Sequence, residues 1–171
     1  MQNFKFYAPT KVVFGTHTES QVADLIKAFG GNKVLLHYGG QSAVKSGLID
    51  RIESYLKKGG VSYVKLGGVV PNPRVSKVRE GIRLCRDENI DFLLAVGGGS
   101  VIDSCKAISA GRYLDGDVWE LYQHKRKAER YMPIGCILTI PAAGSEMSDG
   151  SVITNEDGWL KKDYCCDNSH T

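Results

Sequence analysis

The stretch Asp91-Phe92-Leu93-Leu94-Ala95-Val96-Gly97-Gly98-Gly99-Ser100-Val101-Ile102-Asp103 restricts the fold more than any other part of the chain. Residues 92–96 form a short continuous apolar run, the pattern of a strand covered on both faces in a parallel sheet. Three glycines then free the backbone to turn sharply and to bring its N–H groups against a ligand. A helix beginning near Ser100 points its positive end at the same spot, so strand, turn and helix together read as a pyrophosphate site. A glycine triplet is also a tight strand-to-helix turn, and its place directly after a strand is what favours the functional reading.

The same order of elements recurs along the chain. Val22, Leu25, Ile26 and Phe29 fall on one helical face, with Thr18 and Gln21 spaced as a capping box before them. Leu48, Ile49, Ile52, Tyr55 and Leu56 mark a second helix, and Val75, Val78, Ile82 and Cys85 a third. Apolar runs at 33–37, 62–66 and 134–140 alternate with these helices and require crossover connections. The expected fold is therefore α/β, a doubly wound parallel sheet of Rossmann-like type, with ligands bound outside the carboxyl ends of the strands. Runs at 4–7 and 11–14, separated by Ala8-Pro9-Thr10, predict two short N-terminal β-strands, and 151–164 predicts a β-hairpin near the C-terminus. The glycine loops at Gly39-Gly40, Gly67-Gly68 and 97–99, and the loop Pro141-Ala142-Ala143-Gly144-Ser145, all follow strands and converge on one crevice.

Composition narrows the partners. A chain of 171 residues, 42% hydrophobic, suits one domain over 1–171. The net charge of +3 arises from mixed signs. Its one basic cluster, Lys125-Arg126-Lys127 with Arg130, reads as a solvated face, which argues against a nucleic-acid partner. Five cysteines with no C-x-x-C spacing suggest neither a disulfide framework nor a zinc site. No signal-like N-terminus and no apolar run near the roughly 20 residues of a membrane span appear, so a cytoplasmic location and no membrane partner are expected.

The ordinary dinucleotide fingerprint is missing: G-x-G-x-x-G would need glycine where Ile102 stands, and no acid closes the strand ending at Leu66. What is present, Gly97-Gly98-Gly99-Ser100-Val101-Ile102-Asp103 with Thr139-Ile140-Pro141-Ala142-Ala143-Gly144-Ser145-Glu146 and Pro71-Asn72-Pro73, resembles the iron-containing (group III) alcohol dehydrogenases, most closely their butanol dehydrogenase branch. Phe6-Tyr7-Ala8-Pro9-Thr10-Lys11-Val12-Val13-Phe14-Gly15 and the loop at Tyr38 also match, so the resemblance covers nearly the whole chain.

That resemblance implies a nicotinamide cofactor, NADP or NAD, with its pyrophosphate on Gly98, Gly99 and Ser100 and with Asp103 one turn further on. It implies Asn72 beside the cofactor, Thr139, Ala142 and Ser148 along the adenine and ribose side, and Lys161 or Lys162 reaching in from the hairpin. Each has a plainer reading: Asp103 suits a helix's first turn, Asn72 a turn between prolines, and Thr139 any strand. Gly39, Gly40 and Ser42 follow the first strand, where NAD-preferring members commonly carry an acid. With Gln41 they offer hydrogen bonds and no negative charge, which permits NADP and tilts the choice toward it. Gly39-Gly40 also reads as a simple turn and Ser42 as a helix N-cap.

In that family one Asp and three His from a following helical domain bind a divalent metal, Fe or Zn, which lowers the pKa of the substrate oxygen. His17, His37, His124 and His170 match none of those positions, so neither a metal site nor a catalytic residue is expected in this chain. The expectation is the nucleotide-binding, N-terminal half of a metal-dependent NAD(P) alcohol dehydrogenase or aldehyde reductase, inactive alone. Its parent reaction is hydride transfer between nicotinamide and a primary alcohol or aldehyde, and its assembly a homo-oligomer, a dimer. A glycerol or polyol dehydrogenase or a maleylacetate reductase of the same superfold is the alternative, and a non-catalytic nucleotide-binding module a second one.

Overall fold

The computed structural model describes residues 9–165. After a 3-10 turn at Thr18–Gln21 the chain runs through α1 (Val22–Ala28), β1 (Lys33–Tyr38), α2 (Gln41–Lys45), α3 (Leu48–Lys58), β2 (Ser62–Leu66) and α4 (Val75–Asp87). It continues through β3 (Phe92–Gly97), α5 (Gly99–Gly111), α6 (Trp119–Tyr122), β4 (Ile134–Leu138) and an antiparallel hairpin of β5 (Gly150–Asn155) and β6 (Leu160–Cys165). The first four strands form one parallel sheet in the order β2-β1-β3-β4.

Alternation along the central strands builds two cores. Val34, Leu36, Leu94 and Val96 pack on one face against Val22, Ile26, Ile52 and Leu56 of α1 and α3. Leu35, Leu93 and Ala95 face Val78, Ile82, Cys85, Ile102 and Ile108 of α4 and α5. Burying each large aliphatic side chain contributes roughly 2 kcal/mol. The chain thus crosses from β1 to β2 over one face and from β2 to β3 over the other. This doubly wound sheet opens a crevice outside the carboxyl ends of β1 and β3, where the strand order reverses. Helix α5 is buried on nearly every side, because α4, the sheet and the β5–β6 hairpin enclose it.

Several local expectations are corrected. The run 11–14 forms no strand, and Phe14 is almost wholly exposed; 4–7, which would have paired with it, lies outside the described residues. The capping box does not form, since the Thr18 hydroxyl donates to the Gly15 carbonyl and no side chain caps α1. Phe29 lies beyond the end of α1 and is exposed. The strand expected over 134–140 stops at Leu138, leaving Thr139 and Ile140 in an exposed loop. Ser42 is not an N-cap; α2 begins at Gln41 with Gly40 in that place.

Candidate dinucleotide-binding crevice

Main-chain hydrogen bonds lace the four loops together at the carboxyl end of the sheet. The Gly68 and Val69 amides donate to the carbonyls of Gly39 and Tyr38, and the Thr139 amide donates to Gly97 at 3.0 Å. Gly39 lies against the first turn of α5, since a Cβ added to it would stand 3.6 Å from Val101 Cγ2. The loops after β1, β2, β3 and β4 thus lie together at the carboxyl end of the sheet.

Each glycine of the triplet has its own surroundings. At Gly97 (φ +157°) a Cβ would lie 2.6 Å from Val101 Cγ2, so the fold requires glycine there. At Gly99 it would lie 3.0 Å from the Ser145 hydroxyl oxygen. At Gly98 the backbone is extended (φ −95°, ψ −168°), and the nearest atom to an added Cβ is the Ile140 carbonyl oxygen at an ordinary 3.8 Å. The first amides of α5 have no intrahelical acceptor by position, and its first turn holds no acid. A thirteen-residue helix therefore turns its positive end toward these loops, beside a glycine at which an added Cβ would make only ordinary contact.

Asp103 and the hairpin form one unit. The Asp103 carboxylate accepts from the Val152 amide at 3.2 Å, and its main-chain carbonyl accepts from the Ser151 hydroxyl at 2.8 Å. Burial pushes the Asp103 carboxyl above the usual carboxylate range, opposed by the Val152 and Ser145 hydrogen bonds and the charges of Lys106 and Lys161. The hairpin also grips the Pro71-Asn72-Pro73 loop: the Thr154 amide donates to Pro73 at 2.8 Å, the Ser76 hydroxyl bonds the Glu156 carboxylate, and the Arg74 guanidinium lies 4.7 Å from the Trp159 ring centroid. Asn72 adopts φ +56°, and its Oδ1 accepts from Lys161 Nζ at 2.7 Å. Two site candidates 89 positions apart thereby meet. Strand alternation turns Lys162 to the other face of the hairpin, so Lys161 is the lysine that reaches the loop.

The remaining candidates divide. Gly40, Gln41 and Ser42 are exposed at the start of α2, and an added Cβ at Gly40 would touch nothing within 4 Å. Thr139 and Ala142 are exposed on the loop after β4. The carbonyl and hydroxyl oxygens of Ser148 both accept from Lys106. The sequence reading missed that lysine; its signal was a cation among the small and apolar residues 104–111.

His37 is fully buried at the end of β1. Its Nδ1 lies 2.7 Å from the Leu66 carbonyl, which only accepts, so Nδ1 carries the proton and Nε2 accepts from the Ser104 hydroxyl at 2.8 Å. Burial lowers its pKa to about 4, keeping the ring neutral as a tie between β1, β2 and α5. Among the described residues no group of three or more His, Cys, Asp and Glu converges as a metal site. His170 lies outside them, and His17 and His124 are exposed. No helix among them is long and apolar enough to cross a membrane. Two surface hollows, one lined by Arg79, Arg83, Arg86 and Asp117 and the other by His124, Lys127, Tyr131 and Tyr164, share no residue with the crevice.

Comparison with known proteins places this geometry in a lineage. The family model for iron-containing alcohol dehydrogenase matches residues 9–170. A probable NADH-dependent butanol dehydrogenase 1 of Bacillus subtilis is 50% identical over 155 residues, which cover 91% of this chain and 40% of that protein. The NADPH-dependent aldehyde reductase of Escherichia coli is 37% identical over 159 residues, covering 91% of this chain and 40% of the relative. The crystal structure of a Thermotoga maritima NADH-dependent butanol dehydrogenase A superposes with a TM-score of 0.93 at 44% identity, over 96% of this chain and 42% of that one. The chain thus spans about 40% of the length of the curated relatives it matches.

Proposed function

Since the chain belongs to the iron-containing alcohol dehydrogenase family, we propose that it is the nucleotide-binding portion of an NAD(P)-dependent alcohol dehydrogenase or aldehyde reductase of the butanol dehydrogenase type. The observation that carries this reading is Gly98, whose backbone and surroundings would accept a side chain, so that the reason for glycine lies outside the protein. An extended diphosphate fits there. Main-chain N–H groups of Gly98, Gly99 and Ser100 donate to its oxygens while the α5 dipole favours its charge. Thr139, Ala142 and Ser148 line the adenine and ribose side, Asn72 and Lys161 stand together beside the cofactor, and Asp103 holds the hairpin in register with them. When bound, the nicotinamide supplies hydride chemistry toward a primary alcohol or aldehyde.

Gly39, Gly40, Gln41 and Ser42 present no acid to a ribose 2′-phosphate, so the site accepts NADP as well as NAD. The similar proteins named above include NADH- and NADPH-dependent enzymes. Among the described residues no group of His, Cys, Asp and Glu forms the donor set of a divalent metal. We propose accordingly that the chain alone binds the dinucleotide without turnover, and that the whole enzyme is a cytoplasmic homo-oligomer, a dimer, acting on small alcohols or aldehydes.

The test is calorimetric titration of NADH and NADPH into the wild-type chain and Gly98→Ala, with thermal melting of both. The expected result is saturable binding by wild type, at least about tenfold weaker binding by the variant, and a slightly higher melting temperature for the variant. Equal affinity in both would refute the assignment of the diphosphate to this turn.

A further inference from the structure

Lys106 is fully buried, two turns into α5, between Cys105 and Ala107. Its Nζ donates to the carbonyl oxygens of Ser145 at 2.6 Å, Ser148 at 2.5 Å and Gly150 at 3.1 Å, with the Ser148 hydroxyl at 3.3 Å. An ammonium withdrawn from water is costly unless its donors are satisfied, and an ammonium has three donors to place. Here three main-chain carbonyls replace the water it gives up.

Packing alone does not call for this residue, since α5 is otherwise filled by Val101, Ile102, Cys105, Ala107 and Ile108. What the lysine does is hold a segment with little structure of its own. Between β4 and β5 the chain has only the 3-10 turn Ser145–Met147, entered through Gly144 at φ +73°. That segment is a wall of the crevice. Ser145 stands 3.0 Å from where a Gly99 Cβ would be, and Ser148 is one of the residues assigned above to the ribose side.

We propose that Lys106 is a positioning residue for dinucleotide binding: it clamps the 145–150 wall against the phosphate-binding end of α5 without touching the ligand itself. The proposal rests on the dinucleotide reading of the crevice. It assigns to the carbonyl cage a specific requirement for a primary ammonium, which a chemical-rescue experiment can address.

The experiment compares wild type with Lys106→Met and Lys106→Ala. The latter deletes the atoms of one propylammonium ion, so each protein is measured with propylammonium chloride, choline chloride and propanol. The readouts are far-UV circular dichroism, amide hydrogen exchange across 145–152, and calorimetric Kd for NADH and NADPH. Expected are folded variants, exchange across the wall faster by about tenfold or more, and dinucleotide Kd weakened by a similar factor. Propylammonium should restore both readouts in Lys106→Ala, and choline and propanol neither. Unchanged exchange would overturn the clamp. Faster exchange with unchanged Kd would overturn the positioning role while leaving the dinucleotide site intact. If wild type itself bound neither dinucleotide, the crevice reading would fail and this proposal with it, whatever the exchange data. Should both variants fail to fold, Lys106→Arg keeps the charge but spreads its donors over a planar fork. Wild-type Kd in that variant with altered exchange at the wall would overturn the proposal, and a weakened Kd would support it.

Discussion

Lowering the pH should loosen this protein through one imidazole. Burial holds the His37 pKa at about 4 in the folded chain against an ordinary value of 6.5, because desolvation of the charged ring outweighs the Leu66 carbonyl, which accepts from Nδ1 and favours the protonated form. Above pH 6.5 neither state binds the proton and the neutral ring costs nothing. As pH falls below 6.5 the unfolded chain takes up a proton that the folded chain refuses, so stability declines until the folded pKa is reached. The gap of about 2.5 pH units, at about 1.4 kcal/mol each, gives a loss of about 3 kcal/mol by pH 4. Other groups titrate nearby: Glu53, Asp117 and Glu156 are held below their ordinary values by their hydrogen bonds and add acid sensitivity lower in pH, while the raised Asp103 acts in the opposite sense. A second protein isolates the His37 contribution. His37→Gln retains a donor and an acceptor but cannot take up the proton. Urea denaturation at intervals from pH 7.5 to 4.5 should give a steeper decline for wild type than for the variant, the curves converging by about 2.5 kcal/mol at the acid end. Parallel curves would show that His37 does not titrate as this burial requires.

Two further outcomes follow from the crevice. Gly97→Ala places a methyl 2.6 Å from Cγ2 of Val101, a β-branched helical side chain with little rotamer freedom, and should cost about 2 kcal/mol in chemical denaturation. Gln41→Asp, on the exposed start of α2, should weaken NADPH relative to NADH by about fivefold in calorimetry, the effect of about 1 kcal/mol between unit charges a few ångströms apart in water; an unchanged ratio would remove this loop from cofactor choice.

What the sequence disclosed depended on range. The burial of β3 was legible because Phe92, Leu93, Leu94, Ala95 and Val96 leave no wet face, and α3 and α4 were legible because their apolar positions repeat at helical spacing over several turns. Short-range signals fared worse. The Thr18 and Gln21 pair looked like a cap, but the Thr18 hydroxyl found the Gly15 carbonyl instead. Four residues of α6 are too few to show a period. The meeting of Asn72 with Lys161 spans 89 positions, and only resemblance to a family suggested both. Lys106 was hidden for a different reason: a single lysine in a helix ordinarily reaches solvent, and nothing local announces that carbonyls of a distant segment will accept its hydrogen bonds.

The glycine triplet shows why structure was needed to turn a motif into chemistry. In the sequence its three members are equivalent, and a turn and a phosphate cradle predict the same letters. In the fold they separate, because Gly97 is excluded from bearing a side chain by Val101 and Gly99 is crowded by Ser145, while a Cβ at Gly98 would make only ordinary contact with the Ile140 carbonyl. A turn alone explains the first two. It leaves the third unexplained, for an alanine at Gly98 would strain no backbone angle and displace no atom of the protein. Replacing glycine by alanine at a compatible position commonly stabilises a chain by about 0.4–1 kcal/mol through the unfolded state. Glycine at this site therefore forgoes stability, and a main chain that must approach a charged ligand closely is the physical reason to do so.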